Sequence, residues 1–240
     1  MTIQLKDVIN SYKGLKHQDD ALRALEAALS PSLLADDALW VKAWRTAPEP
    51  AQKPKGKWQV TPEMLECLTG SKAKYFDVGF CDDLQALLEA TGFDKNLTAR
   101  RMLVAQMCHE SCGFRYMKEI DKGHYLEGRS DIGNTQPGDG PKFRGCGPIQ
   151  LTGRHNHQRF SDWMTKQGKA DPKIMSLGTD YTAERYPFLS AVPWILNNGY
   201  LNVCKSGDIR YATRVLNGGY NGLEDRTRYW NKVLGCIGDA

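Results

Sequence analysis

No apolar run in the 240 residues approaches the roughly 20 that a membrane span needs, so membrane insertion is not expected. The sequence also lacks a basic run interleaved with aromatics. Its net charge of +4 is a mild excess, too weak to argue for a nucleic-acid partner. No internal repeat is visible. Around Cys108-His109-Glu110-Ser111-Cys112 there is no second C-x-x-C or H-x-x-x-H to complete a tetrahedral metal set, and H-E-x-x-Gly is not the H-E-x-x-H of a zinc peptidase. No metal and no other cofactor is expected. The opening Met1-Thr2-Ile3-Gln4-Leu5-Lys6-Asp7 lacks the basic region and apolar core of a signal peptide. That predicts accumulation in the cytoplasm of the producing cell.

The seven cysteines are odd in number and irregularly spaced. They read as reduced, buried small hydrophobes rather than as a disulfide framework. A strand-helix alternation is missing too, which argues against a doubly wound sheet.

What is present is helical periodicity. A hydrophobic fraction of 41% and a charged fraction of 25% are ordinary for a soluble globular chain. Residues 5–46 carry apolar stripes such as Leu22, Leu25, Ala28 and Leu29. The Pro/Lys-rich spacer Ala47 to Lys57 follows. The chain therefore divides into a small helical region, 1–56, and a larger domain, 57–240. In the larger part, helices are expected from Thr61-Pro62, over Asp82 to Ala90, after Asn96 or Thr98, over His157 to Gln167, over Ala191 to Tyr200, over Ile209 to Leu216, and over Leu223 to Leu234. Residues 128–147 contain six glycines and two prolines and read as an irregular loop, with short strands around Phe143 and Ile149 to Thr152.

The stretch from Met102 to Phe160 carries the chemistry. Leu103, Met107, Glu110 and Phe114 fall on one helical face. Glu110 thus sits on an apolar stripe, where poor solvation raises a carboxyl pKa and suits a general acid. Its alternative is a helix-end glutamate swung out to solvent. Glu119, beyond the helix stop Gly113 and flanked by Lys118 and Asp121, has a wetter setting suited to an ionised base. Two such carboxyl groups across a cleft are what glycoside hydrolysis requires.

H-E-S-x-G at His109 to Gly113, the acid Glu119, G-x-G-P-I-Q-L-T-G-R-x-N from Gly145 to Asn156, Leu216-Asn217-Gly218-Gly219 and Asp225-Arg226 together resemble the family-19 glycoside hydrolases, the plant-type chitinases and related bacteriophage endolysins. The resemblance implies a mainly α, lysozyme-like fold with a small β-sheet at the cleft, and an inverting mechanism. Glu110 is then the general acid, Glu119 the general base and Thr152 a hydroxyl that orients water. Inversion implies carboxyl groups roughly 6.5–9.5 Å apart. His109, Gln150, Asn156, Asn217 and Arg226 become the substrate-binding set, Arg226 as the arginine that pairs with the catalytic carboxylates. Cys146 stands where the family commonly has an arginine, and a Cys112–Cys146 disulfide is conceivable after release.

The resemblance also implies a partner, bacterial peptidoglycan, cut at β-1,4 bonds between N-acetylhexosamines by a monomer that a separate pore-forming protein lets reach the wall. Residues 1–56 are then either a packed helical extension or a wall-binding module. Three other readings stand beside it: a chitinase on the same fold, a carbohydrate-binding protein without catalysis, and a wall peptidase using Cys108 or Cys112 with His109. Trp163, Trp194 and Trp230 read as core.

Overall fold

The computed structural model describes residues 58–238. The chain divides between Lys57 and Trp58, and the helices and spacer expected over residues 1–56 lie outside the described residues.

Eleven α-helices and several single 3₁₀ turns make up the described part. The first helix, α1 (Pro62–Thr69), is entered as the sequence dictates, with Thr61 capping Met64 N and proline at the first positions. Helix α2 (Val78–Thr91) is capped by Asp77, starts a turn earlier than the leucine spacing indicates, and ends at Gly92 in the left-handed conformation. Asn96 caps α3 (Leu97–Glu110) through Ala99 N.

The single stripe expected on α3 is a correction. Every residue from Met102 to Cys108 is buried, so α3 is a central helix enclosed on all sides. Helix α9 (Tyr200–Lys205) and the long α11 (Leu223–Cys236) both pack along it. Two polar side chains, Arg100 and Gln106, are buried with its apolar ones.

Between Glu110 and α5 (Arg154–Lys166) the chain is mostly irregular, apart from the one-turn helix α4 (Asp139–Lys142). The expected sheet is reduced, among the described residues, to two isolated antiparallel bridges, Lys118 with Cys146 and Cys146 with Leu151. Polar side chains hold this region instead. Glu127 accepts Gly138 N at 2.6 Å and Gly140 N at 2.7 Å, and Asp139 is paired with Arg154. The short helices α6 (Lys173–Leu177) and α7 (Thr179–Arg185) were not legible in the periodicity. The helix expected over 191–200 is broken by Gly199 into α8 (Val192–Asn197) and α9. Helix α10 (Ile209–Asn217) precedes α11 and stops at left-handed Gly218.

Two cysteines correct the reading of seven free thiols: Cys67 on α1 and Cys236 at the end of α11 are bridged. The other five are free, and a Cys112–Cys146 bridge is not formed, since Cys112 is exposed and Cys146 buried. No helix among the described residues is long and apolar enough to cross a membrane.

Candidate active site

Glu110 is the last residue of α3, at the helix's negative dipole end. Opposite stands Arg226 from the first turn of α11, which is 1% exposed while Glu110 is 24% exposed. Its Nη2 donates to Glu110 Oε1 at 2.5 Å, its Nη1 to Gln106 Oε1 at 2.5 Å and its Nε to Asn221 O at 3.3 Å. Gln106 is itself fixed by donating to Thr213 Oγ1 on α10. Glu110 is therefore held by a buried guanidinium rather than by apolar neighbours alone. One carboxylate oxygen is tied, and Oε2 has no hydrogen-bond partner among the described residues. Arg226, placed by sequence among the substrate-binding residues, is buried and spends its donors on Glu110, Gln106 and Asn221 O.

The turn after α3 is unusual. Cys112 (φ 50), Gly113 (φ 69) and Phe114 (φ 64) are consecutive residues in the left-handed region, which non-glycine residues rarely enter. Phe114 is offset by burial: its ring packs edge-on to Phe80 and Phe188 at centroid distances of 6.1 and 5.2 Å. Ser111 Oγ supplies the acceptor for Phe114 N. The chain reverses here and brings Glu119 back along residues 145–147.

Glu119 N donates to Gly145 O, Gly145 N to Glu119 Oε2 at 2.7 Å, and Gly147 N to Met117 O. The other carboxylate oxygen, Oε1, accepts Tyr125 Oη at 2.5 Å. Both oxygens are thus oriented acceptors. That bond, and Glu119's charge, push the Tyr125 phenol up to about 12, so it stays protonated and keeps donating.

The G-P-I-Q segment is a tight turn between Cys146 and Leu151, whose backbones bond each other in both directions. Gln150 closes it at φ 53, with Nε2 on Gly147 O. Its amide oxygen lies over Gly145: a Cβ there would stand 2.0 Å from Gln150 Oε1 and 3.1 Å from Glu119 Oε2. Gln150 is therefore a neighbour of Glu119. It also lines, with Glu110, Asn217, Trp194 and Pro148, a cavity of about 160 Å³. Gln150 thus borders both acids, Glu110 through this cavity and Glu119 across Gly145, while Glu119 itself lines a separate cavity with Lys118, His124 and Arg144.

The other residues singled out from sequence divide into two groups. Gln150 and Asn217 meet at the Glu110 cavity, and Asn156 lines an adjoining one. Thr152 stands at the turn's far end, its hydroxyl donating to Gln150 O at 3.0 Å. His109 is not at the cleft: its Nδ1 is 2.7 Å from Asp225 Oδ2, and its ring packs against Gly222, where a Cβ would stand 2.3 Å away. That is a correction to the substrate-binding assignment, since His109 and Asp225 brace α3 against α11. The peptidase reading loses one of its two thiols, because Cys108 is fully buried and burial raises its thiol.

Sequence reasoning missed Tyr125, Gly145 and Trp194. Trp194 was read as core, yet it is half-buried and lines both cavities. No group of three or more His, Cys, Asp or Glu residues able to hold a metal is present among the described residues.

No protein-family model matches the chain. A Haemophilus influenzae protein named as a glycosyl hydrolase family 19 domain-containing protein is 28% identical over 116 residues, 48% of this chain and 53% of that protein. The chain thus spans about half the length of the curated relative it matches. Among solved structures, a chitinase C variant with one glutamate changed to glutamine superposes with a TM-score of 0.55 at 17% identity, covering 75% of this chain and 93% of the other. The likeness to family-19 glycoside hydrolases read from the motifs therefore holds in sequence, and the lysozyme-like helical fold holds in structure.

Proposed function

We propose that this chain is a glycoside hydrolase that cuts β-1,4 bonds next to N-acetylhexosamine, with bacterial peptidoglycan as substrate, as in a phage endolysin. The observation that carries it is the pair of carboxylates joined by the Gln150 turn and held in different ways: Glu110 by one oxygen on Arg226, Glu119 by both oxygens on Tyr125 and Gly145 N.

Glu110 Oε2 donates a proton to the glycosidic oxygen as the bond to the anomeric carbon breaks. Glu119 takes a proton from a water that attacks the anomeric carbon from the opposite face, giving an inverted product. Gln150 and Asn217, each able both to donate and to accept, receive the sugar's hydroxyl and N-acetyl groups. Trp194 offers a ring face. Residues with a hydroxyl near the turn, Thr152 first, complete the water's hydrogen bonds.

Glu110→Gln keeps the acceptor for Arg226 but removes the acid proton, and is expected to lower turnover about 10²- to 10⁴-fold. Glu119→Gln should be nearly as severe. The test is digestion of purified peptidoglycan and of chitin oligomers, with mass spectrometry of borohydride-reduced products and NMR of the first anomer released. Solubilised peptidoglycan with inverted ends is expected. Cleavage of chitin oligomers with no soluble product from peptidoglycan would leave the second reading, a chitinase, which the fold of the chitinase C relative favours. Near-wild-type turnover by Glu110→Gln would overturn both.

A further inference from the structure

Beside the Glu110 cavity lies a larger one of about 270 Å³, sharing Ile149, Gln150 and Trp194 with it. The two differ in charge. Glu110 is the one ionisable side chain lining the first, and Arg159 is the one lining the second. Arg159 is exposed on α5, one turn after Asn156, and forms no hydrogen bond or ion pair among the described residues. Asn156 donates to Thr152 O at 2.8 Å, which fixes its amide. Asn197 and Asn198 add amides to the lining.

This is more than a neutral sugar uses. Amides and a tryptophan face suffice for hydroxyl and N-acetyl groups, whereas an unpaired guanidinium in a cavity without acids has no partner on a neutral polymer. Its planar fork of donors fits a carboxylate with two parallel bonds. We propose that Arg159 is a specificity-determining residue that receives a carboxylate carried by the sugar next to the cleaved bond. The cavity then takes an N-acetylhexosamine whose ether carboxylate is free of peptide, in preference to plain N-acetylglucosamine or to the same sugar with that carboxylate closed as an amide. This rests on the glycosidase reading above and names the substrate class of the same cleft.

The experiment measures binding rather than turnover, on the full chain carrying Glu110→Gln, by calorimetry. Three probes are compared: a tetrasaccharide of alternating N-acetylglucosamine and N-acetylmuramic acid with free carboxylates, the same compound with its carboxylates amidated, and the N-acetylglucosamine tetramer. The free acid should bind about tenfold more tightly than the amide, the scale of one charge-assisted hydrogen bond in a partly open site. Adding Arg159→Gln should bring that ratio close to one. Equal binding of acid and amide, binding of none of the probes, or a ratio that survives Arg159→Gln would overturn the proposal. The comparison of acid with amide needs no Arg159 variant, so poor folding of that variant does not remove the test. Failure of the glycosidase reading shows separately, as cleavage of these probes by the Glu110→Gln protein or as absence of cleavage by the wild type.

Discussion

Replacing Arg226 by Met keeps most of the side chain's volume and removes its charge and donors. The guanidinium is 1% exposed and serves Glu110, Gln106 and Asn221 O together. Removing one partner of a buried ion pair costs about 3–5 kcal/mol, but Glu110 is 24% exposed, so water recovers part of that and roughly 2 kcal/mol remains. Gln106 Oε1 is fully buried and loses its donor, adding about 1–3 kcal/mol. A total of about 4 kcal/mol follows, and at about 2–4 °C per kcal/mol for a domain of this size the melting temperature should fall on the order of 10 °C.

The magnitude alone does not identify the partner, so the assay is a double-mutant cycle by chemical denaturation. Glu110→Gln still accepts from Arg226 but carries no charge. If the guanidinium holds the acid, Arg226→Met should cost at least about 1 kcal/mol less in the Glu110→Gln background than in the wild type. Identical costs in the two backgrounds would show that Arg226 serves only Gln106 and the loop, and the account of how the acid is positioned would fall.

Gly145→Ala should separate site from stability: its Cβ would meet Gln150 Oε1 at 2.0 Å, displacing a flexible amide, so turnover is expected to drop at least about tenfold while unfolding changes by less than about 1 kcal/mol. Loss of stability with intact turnover would contradict it. The Cys67–Cys236 bridge closes a separation of 169 residues, so Cys67→Ser should cost about 2–4 kcal/mol, seen as a lower denaturant midpoint that reductant no longer shifts. Two buried groups pull stability in opposite directions with pH. Burial raises Asp83 to about 7, so its contribution is full below its unfolded value of 3.8 and is lost as pH rises towards 7; burial lowers His157 to about 4, so its contribution is full above 6.5 and is lost as pH falls towards 4. Asp83→Asn, which can still accept from Phe188 N and Leu189 N, should therefore make stability climb between about pH 4 and 6.5 by up to about 1.4 kcal/mol per unit. A profile no steeper than that of the wild type would refute this.

How far the sequence carries depends on which force fixes each element. Helix entries at Thr61 and Asn96 are set by local capping and were legible. The enclosure of α3 was not, because α9 and α11 that cover it come about a hundred residues later and leave no trace in its own periodicity. The same limit governs the thiols. Cys67 and Cys236 meet only because α11 returns to α1, and an odd count of cysteines concealed one bridge among five free thiols.

The site shows the limit at closer range. Glu110, Glu119 and Gln150 were legible because their motif spacing is a local property of the chain. What orients them is not local. Arg226 reaches Glu110 across 116 positions, and the Tyr125 hydroxyl reaches Glu119 only once an irregular loop has folded. Gly145 decides whether the Gln150 amide and the Glu119 carboxylate can be neighbours at all, although a glycine in a glycine-rich loop reads as mere flexibility. The two carboxylates are therefore placed by different constraints. Glu110 hangs on a buried arginine from the last helix, and Glu119 on a turn where a Cβ at Gly145 would strike the Gln150 amide. A perturbation of the core beneath α11 should consequently disturb Glu110 first, and one in residues 143–151 should disturb Glu119 first. Those two classes of variant should be separable by double-mutant cycles, each coupling with the Gln variant of its own carboxylate and adding with that of the other.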